Sequence, residues 1–163
     1  MAITPITKKI RLLIVDDSLF FRKALETALS ADQRIEVVGM AVDAMDAMDK
    51  IKALHPDVVT LDVEMPKLNG IDFLKRLMPV NPVPVVVVSS APIRVLDALG
   101  AGAVDFVRKP DVKDPNGMKR FMAELTVKVK IASTARVGKP HPHQTPLPTL
   151  RPMALSSNIN RNI

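Results

Sequence analysis

Residues 10–132 alternate five short apolar runs with five segments of helical periodicity, and that alternation restricts what the chain can become. Strands that are each followed by a helix must return to the sheet by right-handed crossovers, which gives a parallel sheet with helices on both faces. The runs are Ile10 to Val15, Ile35 to Met40, Val58 to Leu61, Val83 to Val88 and Val104 to Val107. The fourth is valine almost throughout, as suits a strand covered on both sides. Ser18 and Asp43 precede the first two helical segments as N-caps, and the second segment stops before His55 and Pro56. Phe21, Ala24, Leu25, Ala28 and Leu29 mark the inward face of the first helix, and Ala44, Met45, Ala47, Met48 and Ile51 that of the second.

After Asp62, the stretch VEMPKLNG is a loop because it holds a proline and an Asn-Gly pair, and IDFLKRLM behind it is a short helix. A brief helix runs around Ile93 to Leu99. The last helix is expected to be capped at Asp114 with Pro115 in its first turn, and Met118, Phe121, Met122, Leu125, Val129 and Ala132 share one side of it. Five strands in this arrangement favour the order 2-1-3-4-5, a flavodoxin-like three-layer sandwich. Residues 1–9 form an N-terminal extension. From Ser133 to Ile163 periodicity ends and prolines crowd in, the composition of an extended linker or disordered tail.

The net charge of +6 does not argue for nucleic acid, because four basic residues and no acids lie from Ser133 onward, leaving +2 for the first 132 residues. Trp and Tyr are absent and the Phe residues fall mainly on apolar faces, so no stacking platform for single strands is visible. Without cysteine there is no disulfide framework, thiolate metal site or thiol nucleophile. No run reaches the roughly 18 to 20 apolar residues that span a bilayer, and the expectation is a cytoplasmic protein with no membrane insertion.

Ligands of such sheets sit at the carboxyl ends of the strands, and there the polar residues collect. The first strand ends in Asp16 and Asp17, the third in Asp62, the fourth in Ser89 and Ser90, and the fifth is followed by Lys109. Three carboxylates repel one another unless a cation or a lysine compensates them. An all-oxygen set without His or Cys suits a hard ion, Mg2+ above all. A carboxylate can be a nucleophile toward phosphorus when positive charge lies near the transferring oxygens, so Asp62 is the candidate acceptor, Lys109 the fixed positive charge and Ser89 a donor to a phosphoryl oxygen.

These motifs, VDDS at Asp16 and Asp17, LDVEMP with NG around Asp62, VVSS at Ser89 and GAVDFVRKP at Lys109, resemble those of the response-regulator receiver family over about residues 10 to 132. The resemblance implies a CheY-like fold, Mg2+ held by Asp16, Asp17, Asp62 and the carbonyl of Glu64, phosphorylation of Asp62 by a histidine kinase, and a switch made of Ser89 and Phe106. The wording TLDVEMPKLNGIDFLKRLM, followed by PVVVVSS, is similar to the receiver of the chemotaxis protein-glutamate methylesterase, which implies a methylesterase catalytic domain as partner, possibly in the same parent chain. No G-x-S-x-G elbow is present, and His141 and His143 lie in the tail, so this chain alone is expected to be regulatory, with at most self-phosphorylation and self-dephosphorylation. Between Ser90 and Gly102 the chain is shorter than the subfamily by about one helical turn, which implies a stunted fourth helix. The alternative is a stand-alone or degenerate receiver acting by protein contact. A flavin carrier of the same fold would need a phosphate-binding loop after the first strand, where the two aspartates would repel the phosphate. A phosphatase of the aspartyl-nucleophile type would have its nucleophile after that strand, whereas the candidate here follows the third.

Overall fold

The computed structural model describes residues 8–64, 70–90, 94–111 and 113–135. The chain runs β1 (Ile10–Val15), α1 (Leu19–Ser30), β2 (Ile35–Ala41), α2 (Ala44–Leu54), β3 (Val58–Asp62), α3 (Gly70–Leu77), β4 (Val85–Ser89), α4 (Arg94–Gly100), β5 (Asp105–Arg108) and α5 (Gly117–Ala132). The five strands form one parallel sheet in the order β2-β1-β3-β4-β5, the order expected of a flavodoxin-like sandwich.

Side chains of successive strand residues point to opposite faces, and the core divides accordingly. Leu12 and Ile14 of β1, Val86 and Val88 of β4 and Val107 of β5 pack with Leu25 and Leu29 of α1 and Phe121, Leu125 and Val129 of α5. Leu13, Val15, Val59, Leu61, Val85 and Val87 pack on the other face with Ala47 and Ile51 of α2, Phe73, Leu74 and Leu77 of α3 and Ala98 of α4. Every residue of β3 and β4 is buried. Each large apolar side chain so enclosed contributes about 1.5 to 3 kcal/mol.

Local chemistry sets the helix ends. Ser18 Oγ accepts from Phe21 N at 3.2 Å and Asp43 Oδ1 from Asp46 N at 2.8 Å, as N-caps do. His55 closes α2 in the left-handed region, φ 50°, with its N–H on Ile51 O, just before Pro56. The seven-residue α4 ends in a Schellman motif. Ala103 N donates to Ala98 O and Gly102 N to Leu99 O, both at 3.1 Å, with Gly102 at φ +118°.

Three expectations are corrected. Asp114 does not cap α5: its Oδ1 accepts from Asn116 N at 2.9 Å in a local turn, so the helix starts at Gly117, with Pro115 outside it. Met45 faces solvent, 78% exposed, because α2 turns Ala44, Ala47 and Ile51 to the sheet. Met118 stands at the exposed rim of α5 rather than in its packed face. The proline-rich tail lies outside the described residues from position 136, as do residues 1–7. Among the described residues no helix is long and apolar enough to cross a membrane.

Candidate functional site

β1 and β3 are neighbours in the sheet, paired Val15 to Leu61, so their ends bring Asp16 and Asp62 together. Both side chains are almost fully enclosed, at 2% and 3% exposure, whereas Asp17 is exposed. One carboxylate oxygen from each of Asp16, Asp17 and Asp62 lies within 4.8 Å of the others. β5 pairs with β4 so that Lys109 N donates to Ser89 O at 3.0 Å. That register sends the lysine over the acids, and its Nζ lies 3.4 Å from Asp62 Oδ2. The other Asp62 oxygen accepts from Glu64 N at 2.9 Å.

Burial drives the Asp16 carboxyl up to about 6, with the charges of Asp62 and Asp17 adding to the rise and the 2.8 Å hydrogen bond from Ser18 N opposing it. Burial also raises Asp62, against the Glu64 N–H and the Lys109 ammonium. Three carboxylates facing one lysine leave a local excess of negative charge that the protein does not neutralise. Oxygen donors only, one of them open to solvent, fit a partly hydrated hard divalent cation. Asp16, Asp17 and Asp62 are the side chains placed to hold it.

Glu64 is positioned by more than its backbone. Its carboxylate accepts from Ser90 Oγ at 2.9 and 3.0 Å and from Ser89 Oγ at 3.2 Å. Burial alone would raise this acid, but the hydrogen bonds of Ser90 and Ser89 and the charge of Lys109 outweigh it, and it is held below its ordinary value. Phe106, in β5, is half-buried beside the α2, α3 and α4 face, and Lys128 Nζ sits 4.9 Å from its ring centroid. Ser89 and Phe106 therefore lie on adjacent strands, with Ser89 next to the acids through Glu64.

Two participants were not read from the sequence. One is the Glu64 side chain, since a carboxylate in a loop signals nothing about its partner. The other is Phe21, whose ring lies 5.0 Å from Lys109 Nζ and packs on Phe121 with centroids 5.6 Å apart. Its helical spacing marked it as a core residue, and the lysine it meets is 88 positions away in the sequence.

An acid cluster at the ends of β1 and β3, opposed by a lysine after β5 in a 2-1-3-4-5 sheet, defines a class of signalling domain. Residues 12–119 match the response regulator receiver domain family, to which the chain belongs. Within that family its similarity runs to receivers of the CheB type. It is 54% identical over 81% of its length to a protein-glutamate methylesterase/protein-glutamine glutaminase of Syntrophomonas wolfei, of which it covers 39%. It is 49% identical over 96% of its length to a protein of the same description from Syntrophotalea carbinolica, covering 46%. The response regulator domain of Thermotoga maritima CheB superposes with a TM-score of 0.72 at 40% identity, over 79% of this chain and 99% of that one. The chain thus spans less than half the length of these curated relatives.

Proposed function

We propose that this receiver is a phosphoryl-accepting switch, in which Asp62 takes a phosphoryl group from the phosphohistidine of a chemotaxis histidine kinase in the presence of Mg2+. The observation that carries the reading is the position of Asp62: buried at the end of β3, 3.4 Å from Lys109 Nζ and within the three-acid cluster. An Asp62 oxygen forms the new bond to phosphorus while the phosphorus–nitrogen bond of the donor breaks, and the imidazole nitrogen keeps that electron pair. Lys109 lies where it balances charge on the phosphoryl oxygens, and Ser89 supplies a hydroxyl to one of them. Asp16 and Asp17, with Asp62 and the carbonyl of Glu64, would hold the ion. Bound Mg2+ would supply the positive charge that lets an anionic donor approach a carboxylate.

The same reading makes the phosphorylated receiver the regulator of a protein-glutamate methylesterase domain in a longer parent protein, acting in the cytoplasm. Support comes from the descriptions of the relatives and from the match to the CheB receiver over nearly all of that domain. The test is phosphotransfer from a labelled chemotaxis kinase, with and without EDTA, followed by turnover of the supplied hydrolase domain at increasing receiver. Metal-dependent transfer that is lost in Lys109→Ala, together with hydrolase rates that differ between phosphorylated and unphosphorylated receiver, is expected. Equal hydrolase rates in all conditions would reject the methylesterase link and favour a stand-alone receiver.

A further inference from the structure

Glu64 grips both sides of the acceptor site at once. Its N–H donates to Asp62 Oδ1 at 2.9 Å, while its carboxylate receives the hydroxyl of Ser89 at 3.2 Å, that of Ser90 at 2.9 and 3.0 Å, and the Ser90 N–H at 3.4 Å. A serine hydroxyl has one proton to donate, so a proton directed at Glu64 is not directed at a phosphoryl oxygen. At 3.2 Å the Ser89 contact is long for O–H···O, yet its acceptor, like a phosphoryl oxygen, is ionised, so the two compete on similar terms. Ser89 is buried and Ser90 exposed, which places the carboxylate as a bridge from the site to the surface at the end of β4.

We propose that the Glu64 carboxylate, held in place by Ser90, is an internal competitor of the phosphoryl group for the hydroxyl of Ser89, a positioning residue that biases the receiver toward its unphosphorylated arrangement. This rests on the reading of Asp62 as acceptor. A phosphoryl group must draw Ser89 from Glu64 before that hydroxyl can bind it, and the free energy needed to break the Ser89–Glu64 hydrogen bond is subtracted from the affinity for the group. By holding both carboxylate oxygens Ser90 fixes Glu64 in the rotamer that reaches Ser89.

Glu64 is also a negative charge beside an anion site, and charge alone would oppose a phosphoryl group. Three substitutions separate the two effects. Glu64→Ala removes acceptor and charge, Glu64→Gln removes the charge but keeps an acceptor, and Ser90→Ala keeps the charge but loosens the grip on it. The experiment is titration with beryllofluoride, the phosphoryl mimic, at saturating Mg2+, followed by the Ser89 amide resonance. Competition predicts a gain in affinity of roughly 10-fold for Glu64→Ala, a smaller gain for Glu64→Gln and a gain for Ser90→Ala. Equal gains for Glu64→Ala and Glu64→Gln with none for Ser90→Ala would replace competition by simple repulsion and overturn the proposal. An unchanged affinity in Glu64→Ala would overturn it as well. No binding by the wild-type chain would overturn the acceptor reading itself, and the competition with it.

Discussion

Asp16→Asn should stabilise the metal-free chain at neutral pH. Burial, seconded by Asp62 and Asp17, holds the Asp16 carboxyl at about 6, against an ordinary value of 3.8. A native value above the unfolded one means that the native state binds the proton more tightly. Ionisation therefore costs stability as the pH rises from about 4 through about 6, and the whole cost is present above that range. A displacement of about two pH units, at about 1.4 kcal/mol per unit, amounts to about 3 kcal/mol. Asparagine has the same shape, can still accept the Ser18 N–H that lies 2.8 Å from Asp16 Oδ1, and carries no charge. Urea unfolding in EDTA at pH 7.5 should then show a midpoint higher by about 1 M or more for the variant, and the gap should close as the pH falls below about 4. Added Mg2+ should raise the wild-type midpoint more than that of the variant, since the ion binds the native carboxylates. Equal midpoints at pH 7.5, or a gap that persists unchanged at acid pH, would refute the claim that Asp16 is an electrostatic cost accepted for binding.

Thr60 sits in β3, 1% exposed, with Oγ1 lacking a hydrogen-bond partner among the described residues; Thr60→Val should stabilise the fold by about 1 kcal/mol, read from urea midpoints. Phe21→Leu removes the ring face that Lys109 Nζ meets at 5.0 Å, a contact of about 0.5 to 2 kcal/mol. Phosphorylation by acetyl phosphate should slow about 2- to 30-fold, while Phe21→Tyr, which keeps the face, should react near the wild-type rate; equal rates for Leu and Tyr would assign Phe21 to packing alone.

Much of the fold was legible because it rests on short-range signals that agree with one another. The valines of β4 reported burial on both faces before any neighbour was known, and Ser18 and Asp43 announced helix starts by the one chemistry that satisfies a free N–H group there. Asp114 carried the same signal and misled, because an aspartate can turn its side chain to the backbone two residues on without starting a helix. Met45 misled because helical spacing alone cannot say where the buried stripe ends. In the site, the convergence of Asp16, Asp17, Asp62 and Lys109 followed from strand ends in a parallel sheet. The grip of Glu64 on Ser89 and Ser90, and the seat of Lys109 on Phe21, depend on rotamers of residues on different elements, which no periodicity encodes.

The account turns on Asp62 as the acceptor, and intact-mass spectrometry of the whole chain after incubation with acetyl phosphate and Mg2+ tests it most directly. One phosphoryl adduct should form on the wild-type chain, be absent when EDTA replaces the metal, and be absent from Asp62→Asn, whose amide is neither nucleophilic nor anionic. An adduct that persists in Asp62→Asn would contradict the central claim.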